Sequence, residues 1–282
     1  MSNLPHSERM NRVIKYIEDY IDENLDIQRL SKVACYSEFH FSRLFRSFTG
    51  ESIYGFKKRL LLERSIKHLL YSDENMTEIS FKCGYDNQSS FNKAFKKQFT
   101  YTPSEVRKQM ILPVLNQKKT SKMRSNKMKP EILELKSKEI IYAREVGDYS
   151  TAAEKAWGRI MKFGYSNRLM SKEVESIGIS HDSPEVTEVQ HLRYDACLTL
   201  NTEISSEDNL QKGAIAGGTY GVFLHIGAYE KFQESYNFIF NEWLPKSQYT
   251  LRDAPPFELY LNRDPRRTKP ENLRTKIFIP LN

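Results

Sequence analysis

The stretch that decides the fold of the N-terminal part is Ile79–Thr100, ISFKCGYDNQSSFNKAFKKQFT. It resembles an earlier stretch, Leu30–Gly50, which reads LSKVACYSEFHFSRLFRSFTG and is one residue shorter. Phe41 in the first stretch aligns with Phe91 in the second, and the apolar spacing around them repeats. Self-similarity of this kind, about 50 residues apart, indicates two copies of one supersecondary unit.

Each copy has the pattern of a short helix, a tight turn and a second helix. Apolar residues recur at helical spacing as far as Met110, and capping residues stand at the expected helix ends. The pattern predicts helices over Met10–Leu25, over Ile27–Ala34 after Asp26, between Ser37 and Gly50, over Ile53–Tyr71 after Ser52, from Thr77 to Gly84, after Asp86 or Asn87, and from Pro103 onward. This is the architecture of two helix-turn-helix units in tandem.

The positive charge of the chain is unevenly distributed. Residues 1–112 hold 18 Lys and Arg against 14 Asp and Glu, and residues 113–129 hold 6 against none. The rest of the chain is slightly acidic, although the whole carries a net charge of +7. This asymmetry suggests that a polyanion such as double-stranded DNA binds near the N-terminal end. The three scattered cysteines lack metal-ligand spacing and no long apolar window is present, which favours a cytoplasmic protein without a membrane segment, metal or other cofactor.

The helical pattern stops near Met110, and the stretch that follows to Pro130 is polar, basic and aperiodic. Such a composition is typical of a linker. We therefore predict a tandem helix-turn-helix domain over residues 1–112, a basic linker over 113–130 and a second domain over 131–282.

Beyond Pro130 the pattern changes to strands that alternate with helices. The predicted order is strand Ile140–Val146, helix Ser150–Phe163, strands Ile177–Ser180 and Leu192–Leu200, strand Tyr220–Ile226, helix Glu230–Leu244, and strands Phe257–Asn262 and Thr275–Leu281. Gly147-Asp148-Tyr149 after the first strand parallels Gly227-Ala228-Tyr229 after the fourth. Two βαββ repeats that pack together predict an α+β domain. The chain is thus expected to be multi-domain, with an all-α N-terminal domain and an α+β C-terminal domain.

The second helix of each helix-turn-helix unit is expected to enter the major groove of DNA. In the first copy Phe41, Leu44, Phe45 and Phe48 are predicted to face the core, and in the second Phe91, Ala94, Phe95 and either Gln98 or Phe99. The side chains expected to face DNA are Phe39, Ser42, Arg43 and Arg46 in the first copy and Gln88, Ser89, Asn92, Lys93, Lys96 and Lys97 in the second. Arginine suits guanine, glutamine and asparagine suit adenine, and lysine suits phosphate.

The helix between the two copies sets their separation. About 19 residues of helix span roughly 28 Å, which is close to the roughly 34 Å between successive major grooves on one face of DNA. One chain is therefore long enough to occupy two grooves, and we expect a monomer on DNA.

These stretches resemble the DNA-binding domain of the AraC/XylS family over residues 8–110. The second copy with its continuation, ISFKCGYDNQSSFNKAFKKQFTYTPSEVR, is close to the family signature. The resemblance implies a transcription regulator, and a regulator of this kind is expected to have RNA polymerase as a further partner. It also implies base contacts by Phe39, Ser42 and Arg43 and by Gln88, Ser89, Asn92 and Lys93. Cys35 and Val106 depart from the family pattern, where glycine and an aromatic residue are commoner.

Residues 131–282 resemble the GyrI-like effector-binding domain through EVGDYSTAAEKAW, HIGAYEKFQESYNFIFNEWL, FELYLNRDP and NLRTKIFIPL. The resemblance implies a cleft between the two repeats, lined by aromatic residues around a central glutamate, and Glu258 fits that glutamate by motif. Strand alternation puts Glu258, Tyr260 and Asn262 on one face. A carboxylate beside aromatic rings suits a small lipophilic cation. Further candidates for the lining of the cleft are Tyr149, Trp157, Tyr229, Tyr236 and Trp243.

Three interpretations of the second domain stay open at this point. It binds an effector that alters transcription, or it contacts a protein partner while DNA binding is constitutive, or it hydrolyses a small molecule. The third is the least favoured because no GxSxG, HExxH or phosphate-loop motif is present.

Overall fold

The computed structural model describes residues 6–99, 101–109, 128–184, 186–200, 210–262 and 264–282. The predicted linker lies almost entirely outside the described residues. The chain divides into two compact units, one helical and one built around a sheet. The sequence assigns Pro184–His191 to the C-terminal domain, whereas the structure groups this segment with the helical unit. Within this segment Val186 is buried in the same apolar cluster as Phe91 and Phe95.

The described part of the helical unit contains seven α-helices. They are α1 His6–Asp19, α2 Ile27–Ala34, α3 Glu38–Thr49, α4 Ile53–Tyr71, α5 Met76–Lys82, α6 Gln88–Phe99 and α7 Pro103–Gln109. Helix α1 ends earlier than predicted. The N-cap of α5 is Asn75 rather than Thr77, since the Asn75 side chain accepts from the Glu78 N–H while the Glu78 carboxylate accepts from the Asn75 N–H, each at 2.9 Å.

The turn between the two helices of each unit has the same hydrogen bonds in both copies. In the first, Cys35 N–H donates to Lys32 C=O and Tyr36 N–H donates to Ser31 C=O. In the second, Gly84 and Tyr85 make the equivalent bonds to the carbonyls of Phe81 and Ser80. This pair of bonds closes a helix end through a left-handed residue. The repeat found in the sequence is therefore a repeat of backbone structure.

Phenylalanines from the second helix of each copy lie in the two apolar clusters of the helical unit. Phe41 and Phe45 of α3 are fully buried in one cluster, and Phe91 and Phe95 of α6 are fully buried in the other. The predicted inward position of Phe48 is wrong, because its side chain is 40 % exposed. Its place on the buried face is taken by Thr49, four residues after Phe45, whose hydroxyl donates to the Phe45 carbonyl at 2.8 Å. In α6 it is Phe99 rather than Gln98 that completes the buried face.

The second unit is a single antiparallel sheet of eight strands with two helices. The strands are β1 Glu131–Leu135, β2 Lys138–Val146, β3 Ser176–Ser180, β4 Arg193–Thr199, β5 Gln211–Ile215, β6 Gly218–Ile226, β7 Phe257–Tyr260 and β8 Arg274–Pro280. Helix α8 is Tyr149–Ser166, and α9 is Phe232–Phe238, which continues in irregular helical turns to Lys246. The order across the sheet is β1-β6-β8-β7-β3-β4-β2-β5.

Each half of this unit has one strand more than the predicted βαββ repeat. The additional strands, β1 and β5, form the two edges of the sheet. Each edge strand pairs with the opposite half of the chain, because β1 pairs with β6 and β5 pairs with β2. The two halves are therefore joined at both edges as well as through the central β3–β7 pair.

The two faces of the sheet have different roles. Phe257 and Leu259 of β7 belong to the apolar cluster on one face. Gly178 of β3 is paired with both Ala196 of β4 and Glu258 of β7, so these three residues lie on the other face. Ala196 packs against helix α8 there. Glu258 therefore lies on the face that the helices cover. This is the face opposite to that of Phe257 and Leu259, as strand alternation predicted.

Candidate functional site

The first candidate site is the exposed surface of helices α3 and α6. On α3, Arg43 and Arg46 are exposed and Ser42 is half-buried. Phe39 lies within α3, but its side chain is outside the described residues. The acidic residue of the first turn, Glu38, lies at the N-terminal end of the same helix. The face opposite the buried phenylalanines thus carries two guanidinium groups.

Helix α6 presents more basic residues than α3. Ser89, Lys93, Lys96 and Lys97 are exposed, as predicted for groups that approach DNA. Gln88 is half-buried and accepts a long hydrogen bond of 3.4 Å from the Thr77 hydroxyl. Asn92 is also half-buried, and its Oδ1 is a buried atom without a partner among the described residues. The two predicted readers of adenine are therefore less exposed than the lysines around them.

The second candidate site is built around Glu258 on β7. Its side chain is 1 % exposed although it is a carboxylate. Oε1 accepts a hydrogen bond of 2.5 Å from the Tyr236 hydroxyl and one of 3.4 Å from the Ser180 hydroxyl. Oε2 is buried and has no partner among the described residues. A buried acceptor without a partner is costly, and a hydrogen-bond donor or a cation placed next to this atom would remove that cost.

The surroundings of Glu258 control its ionisation. Burial raises the pKa of its carboxyl to about 7, because the charged form loses its hydration, and the hydroxyls of Tyr236 and Ser180 oppose this only in part. No ion pair joins Glu258 to a cationic residue in the described part of the chain. Above about pH 7 the site therefore holds a negative charge that a bound cation would stabilise.

Aromatic residues form a layer over this carboxylate. Tyr260 contacts Trp157 edge-on at 5.4 Å and Tyr229 edge-on at 5.3 Å between ring centroids. The Tyr260 hydroxyl lies 3.1 Å from that of Tyr194, which accepts a hydrogen bond of 2.9 Å from the Trp157 indole N–H. Trp157, Tyr229, Tyr236 and Tyr260 are all half-buried, whereas the carboxylate beneath them is buried.

Gly178 provides the space for two of these hydroxyls. A Cβ atom at this position would lie 2.5 Å from the Tyr194 hydroxyl and 2.8 Å from the Tyr260 hydroxyl. Both distances are too short for any side chain. Glycine at this position of β3 therefore allows the two tyrosines to meet beside Glu258.

The remaining predicted residues differ in their relation to Glu258. The Tyr149 hydroxyl donates to the backbone carbonyl of Asp182 at 2.6 Å, and the Tyr149 ring packs edge-on against Tyr194. Trp243 packs against Phe223 and Tyr249 instead, and within the described ranges its ring contacts include neither Tyr236 nor Tyr260. Asn262 lies beyond the end of β7, where its side chain accepts from the Arg274 N–H. The structure thus brings together six of the seven residues predicted for the effector site, with Tyr149 joined to the others through Tyr194, and Trp243 is the exception.

Sequence reasoning missed Tyr194, Ser180 and Gly178. One signal was available for Tyr194, since it lies two residues before Ala196 in a predicted strand and alternation puts both side chains on one face, the face that α8 covers. The role of Gly178 depends on its cross-strand neighbours, and these cannot be read from one strand alone.

The histidines of the sheet unit have structural partners. His181 Nε2 lies 2.6 Å from Asp195 and 3.0 Å from Arg144, within a buried ion-pair group. His225 Nδ1 lies 2.7 Å from the Ser235 hydroxyl, and its Nε2 lies 3.2 Å from the Ala228 carbonyl. Over the described ranges, no cluster of three or more His, Cys, Asp or Glu could hold a metal ion.

Among the helices of the described residues, none combines the length and the apolar composition that crossing a bilayer requires.

Comparisons with known proteins agree with this architecture. Residues 128–282 match the model of the GyrI-like small molecule binding domain, and residues 30–109 match a helix-turn-helix domain model. The transcriptional regulator Rob of Salmonella typhimurium LT2 is 22 % identical over 280 residues, which cover 94 % of this chain and 95 % of Rob. The regulatory protein SoxS of Escherichia coli K12 is 30 % identical over 106 residues, 37 % of this chain and 97 % of SoxS.

Among solved structures, the EcmrR–DNA complex has a TM-score of 0.47 and 16 % identity, and the match covers 98 % of this chain and 97 % of EcmrR. The sequence match to Rob runs through both domains in the same order. The chain therefore belongs to the AraC-type transcription regulators that carry a DNA-binding helix-turn-helix domain followed by a GyrI-like domain.

Proposed function

We propose that the GyrI-like domain binds a small lipophilic cation and that this binding changes the transcription of target genes. The observation that carries the proposal is the buried carboxylate of Glu258, whose Oε2 has no partner among the described residues. An unpaired charge in such a site is costly, and a cationic ligand would remove that cost. The domain match to small-molecule-binding proteins supports the same reading.

The aromatic layer explains why the ligand would be apolar as well as cationic. Trp157 and Tyr229 each meet Tyr260 edge-on, and all three side chains are partly exposed. A cation or an apolar group that enters between them would therefore contact aromatic surface. A cation over an aromatic face gains about 0.5–2 kcal/mol, and more where water is excluded. Because Glu258 is buried, entry requires that some of these half-exposed rings move aside.

We propose in the same way that the exposed residues of α3 and α6 contact DNA. Arg43 and Arg46 would contact bases or phosphates from the first copy, and Lys93, Lys96 and Lys97 from the second. RNA polymerase is the further partner that a regulator of this class would engage once it is bound near a promoter. The role is one of binding, and we assign no catalytic step to the domain.

The experiment is calorimetry of the full chain with a panel of lipophilic cations and matched lipophilic anions. Glu258→Gln keeps the shape of the side chain and removes its charge, so cation affinity should fall more than tenfold, or about 1.4 kcal/mol. Glu230→Gln is the matched control, because Glu230 is an exposed neighbour of Tyr229 and loses the same charge. Equal cation affinities for wild type and Glu258→Gln, or binding of the anions alone, would refute the proposal.

A further inference from the structure

Thr275 on β8 carries a second buried polar atom without a partner. Its side chain is fully buried, and no described residue makes a hydrogen bond with its Oγ1. Most buried hydroxyls in proteins are paired, so an unpaired one requires an explanation. Thr275 lies directly opposite Tyr260 in the β7–β8 pair. Residues that face each other in this way project to the same side of the sheet, so the hydroxyl lies on the face that holds Glu258.

The neighbours of Thr275 on the other side do not use its hydroxyl. Thr275 is also paired with His225 of β6. Both ring nitrogens of His225 are occupied, one by the Ser235 hydroxyl and the other by the Ala228 carbonyl. The imidazole is therefore satisfied without Thr275.

The internal repeat shows what this position can do. Thr275 corresponds to Tyr194 in the first half, because each directly follows a Leu-Arg pair in its own half. The Tyr194 hydroxyl is bonded to Trp157 and to Tyr260. In the second half a short side chain stands in place of the tyrosine, and no described residue bonds its hydroxyl. The two halves are thus unequal at a pair of equivalent positions beside Tyr260.

We propose that Thr275 is a second polar anchor of the effector site, so that the ligand is an apolar cation with an additional hydrogen-bonding group. This proposal rests on the proposed function, and it deepens it by specifying the ligand. Glu258 would hold the cationic end, and the Thr275 hydroxyl would bond the second polar group. Thr275 is the diagonal cross-strand neighbour of Glu258, so the two groups of the ligand would lie about 5–8 Å apart.

The test compares two amines that differ by one hydroxyl. Phenethylamine has a cationic end and an apolar ring, and tyramine adds a hydroxyl at the far end of that ring. Calorimetry on the full chain should show that wild type binds tyramine about tenfold more tightly than phenethylamine, as expected for one buried hydrogen bond. In Thr275→Val, which keeps the shape and removes the hydroxyl, the two affinities should become equal. Thr275→Ser should restore the preference.

Thermal unfolding separates a binding role from a structural one. Thr275→Val removes a buried hydroxyl that has no partner among the described residues, so its melting temperature should equal or exceed that of wild type. Thr199→Val is the matched control on β4, because the Thr199 hydroxyl accepts a bond of 2.8 Å from the Glu175 N–H. That variant should melt at a lower temperature and keep the preference for tyramine.

Several results would overturn the anchor role of Thr275. They are an unchanged tyramine preference in Thr275→Val, no preference in wild type, or no binding of either amine to wild type. None of them decides the proposed function, which depends on the larger lipophilic cations and on Glu258→Gln. If those cations bind through Glu258 while Thr275→Val changes nothing, the proposed function stands and this inference fails.

Discussion

Cys35 and Gly84 occupy equivalent positions in the two copies of the turn. Of the two residue types, only glycine adopts the left-handed backbone conformation of this position without a steric cost. Cys35 has a φ of 55° and Gly84 a φ of 74°, both in the left-handed region. A residue with a side chain destabilises the fold by about 1–2 kcal/mol in this conformation. Glycine avoids that cost, but it loses more conformational entropy on folding, so the net gain in stability is smaller. Cys35→Gly should therefore raise the free energy of unfolding by about 0.5–1 kcal/mol, as measured by chemical denaturation.

Gly84→Ala is the reciprocal change. A Cβ at Gly84 would meet no atom within 4 Å, so backbone strain is the only effect expected. The free energy of unfolding of Gly84→Ala should therefore fall by about as much as that of Cys35→Gly rises. A lower free energy of unfolding in Cys35→Gly would contradict the prediction, and it would mean that the Cys35 side chain stabilises the first turn. The sequence alone identified Cys35 as the unusual residue of the pair, because the second copy has glycine at the aligned position.

The buried carboxyl of Glu258 should make cation binding depend on pH. Its pKa, raised to about 7 from an ordinary value of 4.5, means that the carboxyl is mostly protonated at pH 6. Cation affinity should therefore rise about tenfold per pH unit below 7 and level off above it. Calorimetry of one cation between pH 5 and 8.5 measures this, and the dependence should vanish in Glu258→Gln. If the cation affinity of wild type does not change with pH over this range, the pKa of the Glu258 carboxyl is not raised and the prediction is wrong.

The same shift has a consequence for stability. A carboxyl whose pKa is raised in the folded state binds its proton more tightly there than in the unfolded chain. Its contribution is fully present below pH 4.5 and is lost as the pH rises through about 7. Motif resemblance identified Glu258 in the sequence. The burial of the Glu258 side chain could not be predicted from the motif, because it depends on Tyr236 and Ser180, which lie in other elements.

At the scale of elements, the two recognition helices should make different kinds of contact. Arg43 is an exposed residue of α3 that suits a guanine edge. Arg43→Ala should cost about 1–3 kcal/mol at the specific site and change non-specific binding little. Lys97→Ala in α6 should weaken binding to all sequences alike and reduce the slope of log affinity against log salt by about one. Titrations on specific and random duplexes at several salt concentrations measure both, and full site discrimination by Arg43→Ala would contradict its role as a base reader.

Helices were easier to predict than strands. Ile27–Ala34 and Ile53–Tyr71 have the predicted bounds, because Asp26 and Ser52 accept backbone bonds at their N-termini. Strands β1 and β5 were missed because their side chains are mostly exposed or half-buried and show little apolar alternation. Strands β1 and β5 form because they pair with strands of the opposite half. That pairing is a property of the assembled sheet, so no local pattern contains it.

At the scale of the molecule, the chain contains two internal repeats, one in the helical unit and one in the sheet unit. The sequence revealed both repeats, and the structure confirms each as a repeat of turns and strands. The grouping of Pro184–His191 with the helical unit was not foreseen, because Val186 gives no sign in the sequence of which core it joins. Long-range packing of one apolar residue is specified by shape rather than by pattern.

The tandem helix-turn-helix units predict one chain per DNA site. Regulators with a single unit usually dimerise on a palindrome, whereas this chain carries both recognition helices, α3 and α6, on either side of the 19-residue helix α4. We expect a 1:1 complex on an asymmetric site of about two helical turns, measured by sedimentation at stoichiometric DNA concentrations. Scrambling the bases of either half of the site should weaken binding, and the two halves should respond to different variants, Arg43→Ala for one and Lys93→Ala for the other. Two chains per duplex on a two-fold symmetric site would contradict the prediction, because each chain would then use only one of its recognition helices.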